Sequence, residues 1–280
     1  VFGLAPRYVA GVRFCAKTVL EIAIVLLGAS ISVQALGSAG GGLIAAIITV
    51  VSISLFVSYH IGRALGLSNH LSMLVACGNS ICGNSAIAAT APVISAKSDD
   101  VAASISFTAV LGVLFVFVLP MLHAGLGLSA TQYGIFSGLT VYAVPQVLAA
   151  TAPAGTLAVQ VGTLVKLIRV LMLGPVIFTL ALIGGRARET KLPIAQVVPW
   201  FIIGFIVMMV ACSFELVPDM ARAPMKTTAS FLTILAMAAL GLSVDIRKIL
   251  HVGGRVVIAA LLSLIFLCAA SGAVLVVLGS

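Results

Sequence analysis

Long apolar runs separated by short polar or charged clusters recur along the whole chain, at roughly 16–36, 40–60, 70–96, 100–121, 129–154, 156–184, 194–214, 225–243 and 256–278. Each is close to the roughly 20 residues that an α-helix needs to cross a hydrocarbon layer of about 30 Å. The runs are continuously apolar and do not alternate every second residue, so they predict helices and not the strands of a barrel. The pattern therefore predicts an all-α, polytopic membrane protein with about nine membrane segments. Composition agrees, with 62% apolar and 8% charged residues, against roughly 45–50% and about 25% in a soluble domain.

Two of the nine segments differ from the rest. Residues 70–96 read HLSMLVACGNSICGNSAIAATAPVISA, and residues 138–155 read GLTVYAVPQVLAATAPAG. Both contain AATAP, at 88–92 and 149–153, and each is followed by an apolar span with a proline near its end, Pro120 or Pro175. This is a candidate internal repeat of two interrupted helices. Two full crossings would make the repeat parallel, whereas two re-entrant segments would dip in from opposite faces and make it inverted; the sequence leaves both open. Residues 70–184 are the expected substrate-binding core of a single transmembrane transporter domain over 1–280. Residues 194–280 supply the remaining bundle.

In the first unusual segment, Gly78 and Gly83 permit backbone angles that other residues resist, and Asn79, Ser80, Asn84 and Ser85 favour caps and turns. A helix is expected to stop here and restart at about Ser85. The restarted half-helix would present free N–H groups and a positive dipole end, which suits an anion. A packing seam of small residues is the alternative. In the second segment Pro145 is expected to disrupt the preceding turn and free a carbonyl near Tyr142 and Gln146, with Thr140 and Thr151 close by. An ordinary proline kink is the alternative there.

Lys166 and Arg169 lie about ten residues into the span at 156–184, three apart and so on one helical face. Cations at that depth need a partner, and no mid-membrane carboxylate is evident in the sequence. That partner is either the transported anion or the carbonyls freed at the breaks.

The remaining chemistry is sparse. The five cysteines have no CxxC pair and the four histidines are far apart, so neither a cofactor nor a metal is expected. Cys77 and Cys82 read as small apolar filler. The glycine-rich GSAGGG at 37–42 lacks the lysine of a phosphate loop and reads as a turn. No nucleophile stands with a base, so an enzyme is not expected.

The net charge of +8 is explained by position. If every segment crosses and Val1 lies inside, ten basic residues fall on inside loops and three (Lys97, Arg222, Lys226) outside. This is the positive-inside asymmetry, and it removes any need for a nucleic-acid partner. The first residues, VFGLAPRYVAGVRF, lack a signal-peptide pattern and read as a trimmed start.

With GNSICGNSAIAATAPVI, LTVYAVPQVLAAT, LVKLIRVLMLGP and MAALGL in order, nearly the whole chain resembles the bacterial YeiH-type family of sulfate exporters. That family is similar to the sodium/proton antiporter and bile-acid symporter superfamily. The resemblance implies crossing interrupted helices, a core moving against a dimer-forming scaffold, a homodimer in the bacterial inner membrane, and further helices before Val1. It departs at Tyr142 and Ala143, where many members carry a His and an acid, and at Pro145. The proton coupling that such a pair would support is therefore not carried over.

The expected function is alternating-access export of a small oxyanion: sulfate, sulfite or a sulfonate. Asn79, Ser80, Gly83, Asn84 and Ser85 would form one wall of the site, Thr140, Tyr142 and Gln146 the other, with Lys166 and Arg169 between them. A sodium- or proton-coupled carrier of organic anions and a passive anion channel are the rivals.

Overall fold

The computed structural model describes residues 6–29, 33–183, 200–243 and 254–279, all helical apart from short connections. Two compact units are present: 1–41 with 198–246, and 42–197 with 247–280. The basic loop residues Arg186, Arg188, Lys191, Arg247 and Lys248, on which much of the charge asymmetry rests, lie outside the described residues.

In the first unit, α1 (Pro6–Phe14) passes through a π-helical turn (Cys15–Val19) into α2 (Leu20–Gly28). Helix α2 packs against α11 (Trp200–Ser213) and α12 (Asp219–Ser243). A β-carbon on Gly28 would lie 2.5 Å from the Phe205 carbonyl oxygen, and one on Gly204 would lie 2.7 Å from Val25, so two glycines bring α2 and α11 together. Trp200 Nε1 donates to Glu21 Oε2 at 2.8 Å, and Arg222 donates to the Cys212 carbonyl at 3.0 Å.

The second unit holds the chemistry. Helix α3 (Val33–Ala64), most of which belongs here, runs straight through GSAGGG, where a turn was expected. Glycine costs about 1 kcal/mol in a helix interior. An unpaired backbone group in lipid costs several, so the helix continues. Three further long helices follow: α6 (Ser98–Leu126), α9 (Thr156–Leu171) joined to α10 (Leu173–Ile183), and α13 (Gly254–Gly279). These and α3 supply four spans long and apolar enough to cross a membrane. Exposed Phe56, Phe117 and Ile265 are the surface of such helices.

Between the long helices lie four short ones: α4 (Asn69–Cys77), α5 (Asn84–Val93), α7 (Ala130–Thr140) and α8 (Val144–Thr151). At 1.5 Å per residue each reaches only about 12–17 Å, half the hydrocarbon thickness. They are the interrupted segments, and both fold back on themselves. In the first, Leu74 of α4 shares a buried cluster with Ile87 and Ala91 of α5, and a β-carbon on Gly78 would lie 2.9 Å from Ile87 Cδ1. In the second, Tyr133 near the start of α7 donates its hydroxyl to the Ala150 carbonyl near the end of α8 at 2.8 Å. Such contacts across 13 and 17 residues are out of reach in a straight crossing helix. The two segments are hairpins, in place of the crossing helices implied by the resemblance.

The breaks themselves depart from expectation in detail. Helix α4 continues through a π-helical turn (Gly78–Cys82), and the chain reverses at Gly83, whose φ of 65° favours glycine. Helix α5 then starts at Asn84. In the second hairpin the break precedes Pro145: Val141 and Ala143 are extended, and Pro145 sits in the first turn of α8, where a missing N–H breaks no helical bond.

Candidate functional site

The hairpin tips meet. Tyr142 at the second tip donates its hydroxyl to Asn79 Oδ1 at the first, at 2.6 Å, and the Tyr142 ring stands edge-on to Phe107 of α6. A β-carbon on Gly83 would lie 3.2 Å from Tyr142 Cβ, so the reversal at Gly83 also gives the second tip its room.

Each tip leaves carbonyls without helical partners, because α4 with its π turn ends there and so does α7. Lys166 and Arg169, both fully buried on one face of α9, bond those carbonyls. Lys166 Nζ donates to Ile81 O at 2.6 Å and Val141 O at 2.8 Å, one from each tip. Arg169 donates to Asn79 O (3.2 Å) and Ser80 O (2.8 Å from Nη2, 3.2 Å from Nε) on the first tip. On the second it donates to Gly138 O (3.1 Å), Val141 O (3.3 Å) and Leu139 O. The carbonyls freed at the breaks, the second of the two partners considered from sequence, thus hold both cations.

Close packing makes this reach possible. A β-carbon on Gly138 would lie 2.6 Å from the Gly162 carbonyl, and one on Gly134 would lie 2.8 Å from Ala158 O, so α7 and α9 approach along a glycine seam.

The other side of each tip is a helix start, and it has a different character. Asn84 and Ser85, the first residues of α5, are exposed, and Gln146 in the first turn of α8 is half-buried. Asn79 and Ser80 are fully buried, and among the described residues neither Asn79 Nδ2 nor Ser80 Oγ has a partner. Thr140 belongs less closely to the group, since its hydroxyl is bonded to the Phe136 carbonyl of its own helix at 2.7 Å.

A third wall was not foreseen. Ser104, Thr108 and Gly112 of α6 recur every four residues and so share one face, and all three are buried. Thr108 Oγ1 donates to Asn84 Oδ1, and the Gln146 carboxamide lies so close over Gly112 that a β-carbon there would overlap it. The signal was a small or polar residue at every fourth position of an otherwise apolar span.

Four apolar spans and two half-depth hairpins whose tips are joined by buried cations define a helical membrane protein with a polar centre. Over residues 1–260 the chain matches the family described as conserved hypothetical protein 698, and it belongs to that family. It is 62% identical over 258 residues to a UPF0324 membrane protein of Agrobacterium fabrum, covering 92% of this chain and 74% of that protein. It is 58% identical to one of Brucella melitensis (98% and 77% covered) and 34% identical to one of Bacillus cereus (93% and 75%). No solved structure matches it.

Proposed function

We propose that the chain is a secondary transporter of a small oxyanion, sulfate, sulfite or a sulfonate, working by alternating access in a bacterial inner membrane. The carrying observation is the charge balance at the joined tips. Two half-helix starts and two half-helix ends contribute about +0.5 and −0.5 each and cancel, which leaves Arg169 and Lys166 to set a positive sign. Among the described residues no acidic side chain is buried. The centre therefore attracts an anion, held at the starts of α5 and α8, while the two cations act by their field and not by direct contact. The rival sodium-coupled reading needs carbonyls at the breaks, and six of them already accept from Lys166 or Arg169, which places positive charge beside them.

The hairpins support the inverted form of the repeat. The first returns to the face it entered from, α6 crosses, and the second then enters from the opposite face. AATAP falls on the returning arm of each hairpin, and each is followed by a proline-bearing span. Of nine membrane segments, two are then re-entrant, and Lys97 moves to the inside with most of the other basic residues. A homodimer with the first unit as scaffold, and export as the direction, complete the proposal.

The test is flux of radiolabelled sulfate, sulfite and taurine in proteoliposomes of the full-length protein. Saturable counterflow of at least one is expected. Absence of counterflow for all three, with protein correctly inserted, sinks the proposal, and sustained single-channel current in its place points to a channel.

A further inference from the structure

Three carboxamides stand at the joined tips, and all three are turned the same way. Asn79 Oδ1 accepts from the Tyr142 hydroxyl at 2.6 Å, Asn84 Oδ1 from the Thr108 hydroxyl, and Gln146 Oε1 from the Ala143 backbone N–H at 3.1 Å. Each oxygen faces a protein donor, and among the described residues none of the three NH2 groups has an acceptor. That of Asn79 is fully buried and unpartnered. An orphaned buried donor is costly, about 1–3 kcal/mol, unless something else accepts from it.

Two places on α6 bear on this orientation. The Thr108 hydroxyl, shared between Asn84 Oδ1 and the Ile105 carbonyl of its own helix at 2.9 Å, stands against the Asn84 amide, and one turn further along the same face Gly112 makes the flat space in which the Gln146 amide lies. Serine hydroxyls at Ser80 and Ser85 can rotate to donate as well. Six carbonyls at the tips, those of Asn79, Ser80, Ile81, Gly138, Leu139 and Val141, already accept from Lys166 or Arg169.

We propose that the tips form a donor-only site, in which the NH2 groups of Asn79, Asn84 and Gln146 donate to an oxyanion that carries no proton, with Thr108 and Gly112 as positioning residues. The inference rests on the anion reading above and sharpens its substrate class. A fully ionised oxyanion such as sulfate offers only acceptors and is satisfied. Hydrogen phosphate brings an O–H that meets no fixed acceptor, so it is disfavoured, and a site built of donors rejects such a mismatch strongly.

The experiment is equilibrium binding of radiolabelled sulfate, sulfite and taurine to the full-length protein in lipid nanodiscs, in sodium gluconate and in choline gluconate. At least one anion is expected to bind equally well in both salts, to within about twofold, and phosphate is expected to compete about tenfold or more weakly than sulfate. Thr108→Val is expected to weaken binding about tenfold, as one misplaced donor implies, and Thr108→Ser to restore it. Asn84→Asp, which puts an acceptor in place of a donor, is expected to abolish anion binding and to make thermal stability depend on sodium. A wild type that binds neither sulfate nor sulfite nor the zwitterion taurine overturns the anion reading and this inference with it. A wild type that binds an anion only with sodium, or whose affinity survives both Thr108→Val and Asn84→Asp, overturns the donor-only site alone.

Discussion

The two hairpins reach the same arrangement by different local chemistry. The first reverses on a single glycine at φ 65° after a π-helical turn, while the second reverses through an extended stretch and starts its return helix with a proline in the first turn. What they share is the row of carbonyls each presents to α9. Lys166 bonds one carbonyl from each hairpin, and Arg169 bonds at least two from each. The common requirement is thus set by α9, and each hairpin is free to turn in whatever way delivers its carbonyls. Substitutions at the shared cations should damage both hairpins, and substitutions at the turns should damage them unequally.

The largest effect is expected at Arg169. Arg169→Met leaves the carbonyls of Asn79, Ser80, Gly138 and Leu139 without that partner in a water-poor interior. At about 1–3 kcal/mol for each orphaned buried group, the loss is comparable with the whole stability of a typical domain. The variant should give little monodisperse protein on size exclusion. Arg169→Lys keeps the charge and loses the planar fork, and should be intermediate. Lys166→Met removes the Ile81 partner but leaves Val141 bonded to Arg169, so it should be milder than Arg169→Met. Equal melting temperatures for wild type and Arg169→Met would show that α9 does not hold the tips.

Next in size is Gly83→Ala. The backbone there, at φ 65° and ψ −124°, is one that residues with a β-carbon avoid, and the added carbon would crowd Tyr142 Cβ at 3.2 Å. Backbone strain of this kind costs about 1–3 kcal/mol. Thermal unfolding in detergent should show a clear loss, and because the clash falls on the second tip, the Tyr142–Asn79 bond should be weakened as well. A neutral result would mean that the first hairpin, like the second, tolerates more than one turn.

How much of this was visible in the sequence follows the same division. The apolar runs named the class of protein, and GNSICGNS announced a break because turn-forming residues at mid-membrane depth have few other uses. Depth alone singled out Lys166 and Arg169. Their partners were not legible, since main-chain carbonyls leave no trace in composition. Whether a segment crosses or folds back was hidden too: two half-depth arms add up to the length of one crossing helix. Thr108 and Gly112 do not stand out in the sequence, because a threonine and a glycine in a membrane helix usually serve packing. Pro145 reads as a breaker because a proline inside an apolar run looks the same whether a helix ends before it or begins at it.

That last ambiguity gives the smallest effect and the sharpest contrast with Gly83. In the first turn of α8 the Pro145 nitrogen has no helical partner to lose, so Pro145→Ala removes no hydrogen bond from the folded state. The added freedom falls on the unfolded chain, where it destabilises by about 1 kcal/mol or less. The Ala143 N–H should still donate to Gln146 Oε1, since that bond uses neither atom changed by the substitution. Pro145→Ala should therefore unfold within a few degrees of wild type and bind anion as before, while Gly83→Ala does neither. A large loss at Pro145 would mean that the extended stretch needs a rigid start to α8, and that the second hairpin depends on its turn as strictly as the first.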